Sequence, residues 1–155
     1  MNRFLMMLSV AVLLTACAGK SLSKEFGFTI DKSDNQALYS ASSQWLGTPY
    51  KIGGTTQKGV DCSGFVNAIY KEVYDRSLER NSADIYLKSD KIAKSDLREG
   101  DFVFFRTNNS KSVNHIGIYL KNGYFVHAST SKGVMVNKLN EKYYQNSFVS
   151  GGRAK

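Results

Sequence analysis

The chain has 155 residues, 42% of them hydrophobic and 22% charged, with one proline and 13 glycines. That composition excludes a disordered or low-complexity polymer and fits one globular domain with a single core. The net charge of +8 suits an anionic partner, whether nucleic acid, anionic lipid or an acidic wall polymer, and equally suits plain solubility.

Arg3 precedes an almost wholly apolar run, Phe4 to Leu14. The run is too short to cross a hydrocarbon core of ~30 Å as a helix. With its positive start it reads as the apolar centre of a secretory signal. It ends in Leu14-Thr15-Ala16-Cys17, which resembles the bacterial lipoprotein signal, in which the cysteine is acylated and becomes the new N-terminus. The resemblance implies that residues 1–16 are removed and that Cys17 carries the lipid. It also implies that Ala18, where an aspartate would retain the protein, sends it to the outer membrane, facing the periplasm. Buried acyl methylenes would supply the anchoring energy. Loss of the signal removes a single charge, Arg3, and lowers +8 to +7.

Residues 18–33 are polar and without period, and read as a tether, so the folded domain is expected over 34–155. Ser33 or Asp34 would cap a first helix over about 35–46, with Leu38, Ala41 and Trp45 on its buried face. Gly47 to Asp61 reads as a long loop, and loops of that length in a compact domain are usually functional. Tyr50 within it is either a packing aromatic or a hydroxyl donor to a site. Asp61 is a good N-cap for a second helix, Cys62 to Tyr74, whose buried stripe is Phe65, Val66, Ile69, Tyr70 and Val73. A short third helix over about 82–89 would be capped by Ser82 and turn Ile85 inward.

With Cys17 acylated, Cys62 is the one thiol of an exported chain. At the first turn of a helix, free amides and the aligned peptide dipoles favour negative charge, so the expectation is a lowered thiol pKa and a reactive thiolate.

After Gly100 the pattern changes to strands: Asp101 to Phe105, Asn114 to Leu120, Tyr124 to Ser129, Val134 to Val136 and Phe148 to Ser150. Helices followed by strands argue for an α+β fold with an antiparallel sheet. The two histidines, His115 and His127, flank Lys121-Asn122-Gly123. A two-residue Asn-Gly turn would pair Ile118 with His127 and put the imidazoles on opposite faces. A three-residue loop with Gly123 in the left-handed position pairs Leu120 with Tyr124, Ile118 with Val126, Gly117 with His127 and Ile116 with Ala128. Only the second register segregates the apolar residues onto one face, so patterning selects it. It places His115 and His127 together on the other face, with Gly117 making room between them.

A lone cysteine and two neighbouring imidazoles suit nucleophilic catalysis: Cys62 attacks, His115 moves the proton, and His127 orients His115. The same three residues could instead bind zinc. The thiol reading needs no cofactor.

Four segments carry a family resemblance: Asp61-Cys62-Ser63-Gly64-Phe65, Leu97 to Phe105, His115-Ile116-Gly117-Ile118-Tyr119, and Phe125-Val126-His127-Ala128-Ser129. Over about residues 35–150 the chain resembles the NlpC family of cell-wall cysteine peptidases, with Cys, His and His in the family's order. The resemblance implies a papain-like α+β fold, N-terminal helices packed on an antiparallel sheet. It implies hydrolysis of amide bonds in peptidoglycan stem peptides or their cross-links. Tyr50 would lie beside the nucleophile, Asp61 would shape the substrate end of the cleft, and Ser63 would line it. The chain departs from its relatives at Leu78-Glu79-Arg80-Asn81-Ser82, where they often carry a proline after the leucine. A wall-binding lipoprotein without catalysis, and a thiol amidase or acyltransferase of the same fold, are the rival readings. A monomer is expected. Export removes nucleic acid as a partner.

Overall fold

Asn35 opens the helix expected over about 35–46. Its side-chain oxygen accepts from the amide of Leu38 at 3.1 Å, which satisfies one of the free N–H groups of the first turn. In this computed structural model, which describes residues 22–155, the expected caps Ser33 and Asp34 are passed over. Asp34 is engaged elsewhere, by the amide of Asp31 and by Lys121. Helix α1 is Gln36–Ser43 and ends before the expected 46. It buries Leu38, Tyr39 and Ala41, and Trp45 just beyond it joins the same core.

Residues 22–33, expected to lie outside the folded domain, are part of it. Phe26 and Ile30 are buried. Phe26 meets Tyr39 edge-on with ring centroids 5.3 Å apart, and Phe28 stacks on Tyr124 at 4.3 Å. Lys121 clamps both Asp31 and Asp34 to the hairpin beyond. Phe26, Phe28 and Ile30 do alternate, but over only five residues of an otherwise polar stretch, too short a run to announce an element by itself. Residues 1–21, and with them the expected signal and the expected lipid site at Cys17, lie outside the described part. No described helix is long and apolar enough to cross a membrane.

The loop from Gly47 contains a small hairpin, β1 (Thr55–Thr56) and β2 (Gly59–Val60). It delivers the chain to helix α2, Cys62–Tyr74, with the bounds expected. Phe65, Val66, Ile69 and Tyr70 are its buried stripe, and Val73 is half-buried against it. Helix α3 is Ser82–Lys88. Its cap is Asn81, one residue before the expected Ser82, and accepts from Asp84 N–H at 2.9 Å. Ile85 is buried as expected.

Six antiparallel strands form one sheet: β3 (Asp90–Ile92), β4 (Phe102–Phe105), β5 (His115–Tyr119), β6 (Tyr124–Ser129), β7 (Gly133–Lys138) and β8 (Phe148–Arg153). Their spatial order is β3-β8-β4-β5-β6-β7. The unbroken apolar run of β4 marks a strand covered on both faces. Phe102 and Phe104 join the core under α2. Val103 and Phe105 face a second cluster with Phe125, Leu139 and Tyr144. Tyr144 comes from helix α4 (Lys142–Ser147), which the sequence pattern does not announce, and α4 covers that second face.

The hairpin between β5 and β6 has the register that patterning selects, with Ile118 opposite Val126. Leu120 N–H donates to Tyr124 O at 2.9 Å, and Gly123 has φ +81°. The turn itself is tighter than expected. Asn122 also has positive φ, at 53°, and Tyr124 N–H closes on Lys121 O at 2.9 Å. The ladder also stops early. Pairing holds at Tyr119↔Phe125 and Ile118↔Val126, and the pairs expected at Gly117 and Ile116 do not form. The opened strand β5 is where the helix start arrives.

Candidate active site

Three elements converge at this gap: the first turn of α2, the start of β5 and the middle of β6. Asp61 fixes the first. Its Oδ1 accepts from Gly64 N–H at 2.7 Å and its Oδ2 from Gly53 N–H at 2.9 Å. Arg80 closes on the same carboxylate with two hydrogen bonds, 3.0 and 2.7 Å. A bidentate guanidinium adds fixed geometry as well as charge. Burial alone would raise the Asp61 pKa, but Arg80 and the amides of Gly64 and Gly53 hold the carboxyl below its usual range. Gly64 is required here, because a Cβ on it would lie 2.3 Å from the carbonyl oxygen of Gly54.

Cys62 is 7% exposed. The backbone N–H groups of Ile116, one residue from His115, and of Ser63 and Cys62 act on its thiol and favour the charged form. These donors favour the thiolate as a helix start should. They are outweighed. Burial is the largest influence and pushes the thiol up, and the charge of Asp61 pushes the same way. The expected lowering of the thiol pKa is therefore corrected: the helix start contributes, and desolvation wins.

His115 and His127 meet. His115 Nε2 lies 2.8 Å from His127 Nδ1, and the two rings are perpendicular. Gly117 makes this possible. A Cβ there would come within 2.9 Å of the Phe125 ring and 3.1 Å of His127 Cβ. His115 is 8% exposed and His127 1%. Burial, then the neighbouring imidazole, brings His115 down to about 3. Burial brings His127 down to about 4, against the opposing pull of Asn137 and Glu141. The thiol and both rings are thus neutral at rest. Neutral His115 can take a proton, as a general base requires.

Of the other expected residues, Tyr50 is half-buried in the loop that bridges to Val60. Burial and the nearby Cys62 and Asp61 push its phenol up, which keeps the hydroxyl protonated as a donor. Ser63 is buried, and its hydroxyl donates to Arg80 O at 2.7 Å while accepting from Arg80 Nη1 at 2.9 Å. It fastens the segment 78–82 to α2 rather than offering a free hydroxyl. Asn67 fastens the same segment, through Leu78 N–H at 2.9 Å and Glu79 O at 2.8 Å. These bonds secure it without a proline.

Sequence reasoning missed four site residues. Arg80 holds the cap. Asn137, Glu141 and Tyr144 lie beyond His127, whose Nε2 is 2.9 Å from Asn137 Oδ1 and 3.1 Å from the Tyr144 hydroxyl. Carrying β7 past Val136 would have found Asn137, since it alternates with Met135, the partner of His127. No pattern pointed to Tyr144.

A cysteine-bearing helix packed on an antiparallel sheet that presents two contacting imidazoles is the layout of the papain-like α+β proteins. Residues 47–153 match the NlpC/P60 family. The chain is 42% identical over 119 residues to the Haemophilus influenzae protein named "Probable endopeptidase NlpC homolog", across 77% of this chain and 62% of that one. It is 32% identical over 168 residues to the Escherichia coli protein named murein DD-endopeptidase MepS/murein LD-carboxypeptidase, across 94% of this chain and 88% of that one. An NlpC/P60 family protein from Bacillus cereus superposes with a TM-score of 0.71 at 29% identity, across 81% of this chain and 41% of that one. The chain belongs to the NlpC/P60 family.

Proposed function

We propose that this protein is a thiol peptidase of the cell wall that hydrolyses amide bonds in peptidoglycan stem peptides or their cross-links. The observation that carries the reading is the contact between His115 and His127, next to the strand position whose backbone N–H favours the Cys62 thiolate. The 32% identical relative named as a murein endopeptidase supports the substrate class.

The chemistry is acyl transfer. Cys62 Sγ attacks the stem-peptide carbonyl carbon as its proton passes to His115. The negative charge that develops on the carbonyl oxygen is met by the N–H of Cys62, at the helix start, with the Tyr50 hydroxyl as second donor. The C–N bond breaks, and the leaving amine takes the proton from His115. Water then attacks the thioester, gives its proton to His115, and releases a carboxylate and the free thiol. Because the resting thiol is neutral, proton transfer accompanies attack rather than preceding it. No cofactor takes part.

The signal over 1–16 and Cys17 support export and acylation, and with Ala18 an outer-membrane anchor facing the periplasm. The basic surface, +7 after signal removal from +8, would draw in a carboxylate-rich polymer.

Purified protein incubated with purified peptidoglycan should release new amino groups and new stem-peptide masses, and Cys62→Ala should release none. Identical digests from the two proteins would refute the enzyme reading. Radiolabelled palmitate should enter the full-length protein and be absent from Cys17→Ala.

A further inference from the structure

The imidazole pair is the inner end of a longer chain of hydrogen bonds, and its outer end is an ion. Asn137 Nδ2 lies 2.8 Å from Glu141 Oε2, and Glu141 Oε1 accepts from Lys138 N–H at 2.6 Å. An ionised carboxylate only accepts. The atom that Asn137 turns to Glu141 is therefore its NH2, and the atom it turns to His127 is its carbonyl oxygen.

Each remaining proton then has one place. The oxygen of Asn137, 2.9 Å from His127 Nε2, needs a donor, so that nitrogen carries the hydrogen. His127 Nδ1 is left with a lone pair. It faces His115 Nε2 at 2.8 Å, so that nitrogen carries a hydrogen too. His115 Nδ1 is left bare, which is the form that can accept a proton from the thiol. The Tyr144 hydroxyl is 3.1 Å from His127 Nε2 and 3.3 Å from Asn137 Oδ1. It donates to the oxygen, since the ring nitrogen already holds a hydrogen. Were the amide of Asn137 turned over, its NH2 would face His127 Nε2 and the order would reverse. A hydrogen would then sit on His115 Nδ1.

We propose that Asn137, oriented by Glu141, is the positioning residue that sets the proton arrangement of the imidazole pair and so presents His115 as the base. The proposal rests on the reading of Cys62, His115 and His127 as the reacting groups. Neither Asn137 nor Glu141 touches substrate in it. Glu141 has to be a carboxylate because both of its oxygens accept, one from Asn137 and one from Lys138.

Two variants and the wild type test it at pH 8. Glu141→Ala frees the amide to adopt either orientation, and kcat should fall about five- to tenfold with KM unchanged, the scale of one hydrogen bond's net contribution. In the double variant Asn137→Asp/Glu141→Ala, position 137 offers oxygen in either orientation, and kcat should return to within about twofold of wild type. Lys138 N–H loses its acceptor in both, so a merely structural role for Glu141 would leave the double variant as slow as the single one. Imidazole nitrogen NMR of the wild type reads the arrangement directly. It should show the hydrogen on Nε2 of both rings, and Nδ1-protonated rings would overturn the proposal. So would a Glu141→Ala protein with wild-type kcat. A wild-type protein that leaves peptidoglycan uncut refutes the peptidase reading, and the nitrogen spectrum then still decides this one.

Discussion

His115 Nε2 and His127 Nδ1 stand 2.8 Å apart on neighbouring strands, although they are twelve positions apart in the chain. The contact divides their tasks. The outer ring is spent on holding the inner one, and only the inner ring lies one residue from Ile116, whose backbone N–H favours the Cys62 thiolate. His115→Ala should therefore lower kcat by about a thousandfold or more, since it removes the proton carrier. His127→Ala should cost less, and His127→Asn or His127→Gln, which keep an acceptor for His115, should recover part of the loss. Release of amino groups from peptidoglycan is the measurement. Equal losses from His127→Ala and His127→Gln would show that the ring acts by packing alone.

The same burial that neutralises the rings makes the fold sensitive to acid. His115 falls from 6.5 to about 3 and His127 from 6.5 to about 4. Between those limits the unfolded chain binds more protons than the folded one, so the stability they carry is complete above about pH 6.5 and declines as pH falls through the window. Asp61, held below its usual carboxyl range, loses its contribution in the same direction at the lower end. The melting temperature should drop steadily from pH 7 to pH 4, and His115→Gln should flatten the drop. A melting temperature constant over that range would contradict the neutral pair.

Cys62 offers an independent check on the resting state. Its thiol is raised by burial and by Asp61, so alkylation by iodoacetamide should be slow at pH 7 and accelerate with a midpoint above that of an ordinary thiol. His115→Ala should leave that midpoint high, because the ring it removes is neutral. A midpoint well below the ordinary thiol value would mean that a preformed ion pair, and not a neutral pair, attacks.

Much of this site was legible because it follows from local rules. Asp61 caps a helix because its carboxylate suits free amides, and the segregation of Ile116, Ile118, Val126 and Ala128 from His115 and His127 selects a register. What escaped was set by distance. The sign of the Cys62 shift depends on how deeply β5 and α2 bury it, which spacing does not reveal. Arg80 reaches Asp61 across nineteen positions, and Tyr144 reaches His127 across seventeen. The second left-handed residue, Asn122, combines both hairpin readings in one turn, a compromise that patterning alone does not foresee.

The Asp61–Arg80 pair has a measurable share in holding the sulfur. Arg80 is about half exposed, at 49%, while Asp61 is at 13%, so charge attraction alone is screened by solvent. The carboxylate nevertheless serves as cap, loop fastener and guanidinium partner at once. Asp61→Ala should destabilise the protein by about 1–2 kcal/mol, the cost of a lost cap, and lower kcat as the first turn loosens. Arg80→Ala should cost less stability, since the cap survives. Urea titration separates the two. If Arg80→Ala proves the more damaging, the cap is not what holds Cys62 in place.

The domain begins earlier than polarity suggests, and a truncation series can locate its start. Phe26 is 4% exposed and Ile30 6%, and Phe26 rests edge-on against Tyr39. Tyr39 in turn donates to Glu99 at 2.6 Å, so the segment braces the helix that backs the cysteine helix. Phe26→Ala should cost about 3–5 kcal/mol, as large core truncations do, which is a sizeable part of the stability of a domain this size. A chain starting at residue 22 should unfold cooperatively and retain activity, whereas one starting at residue 34 should melt well below it. Both would carry Cys62, His115 and His127. Equal melting temperatures for the two chains would return residues 22–33 to the role of a tether.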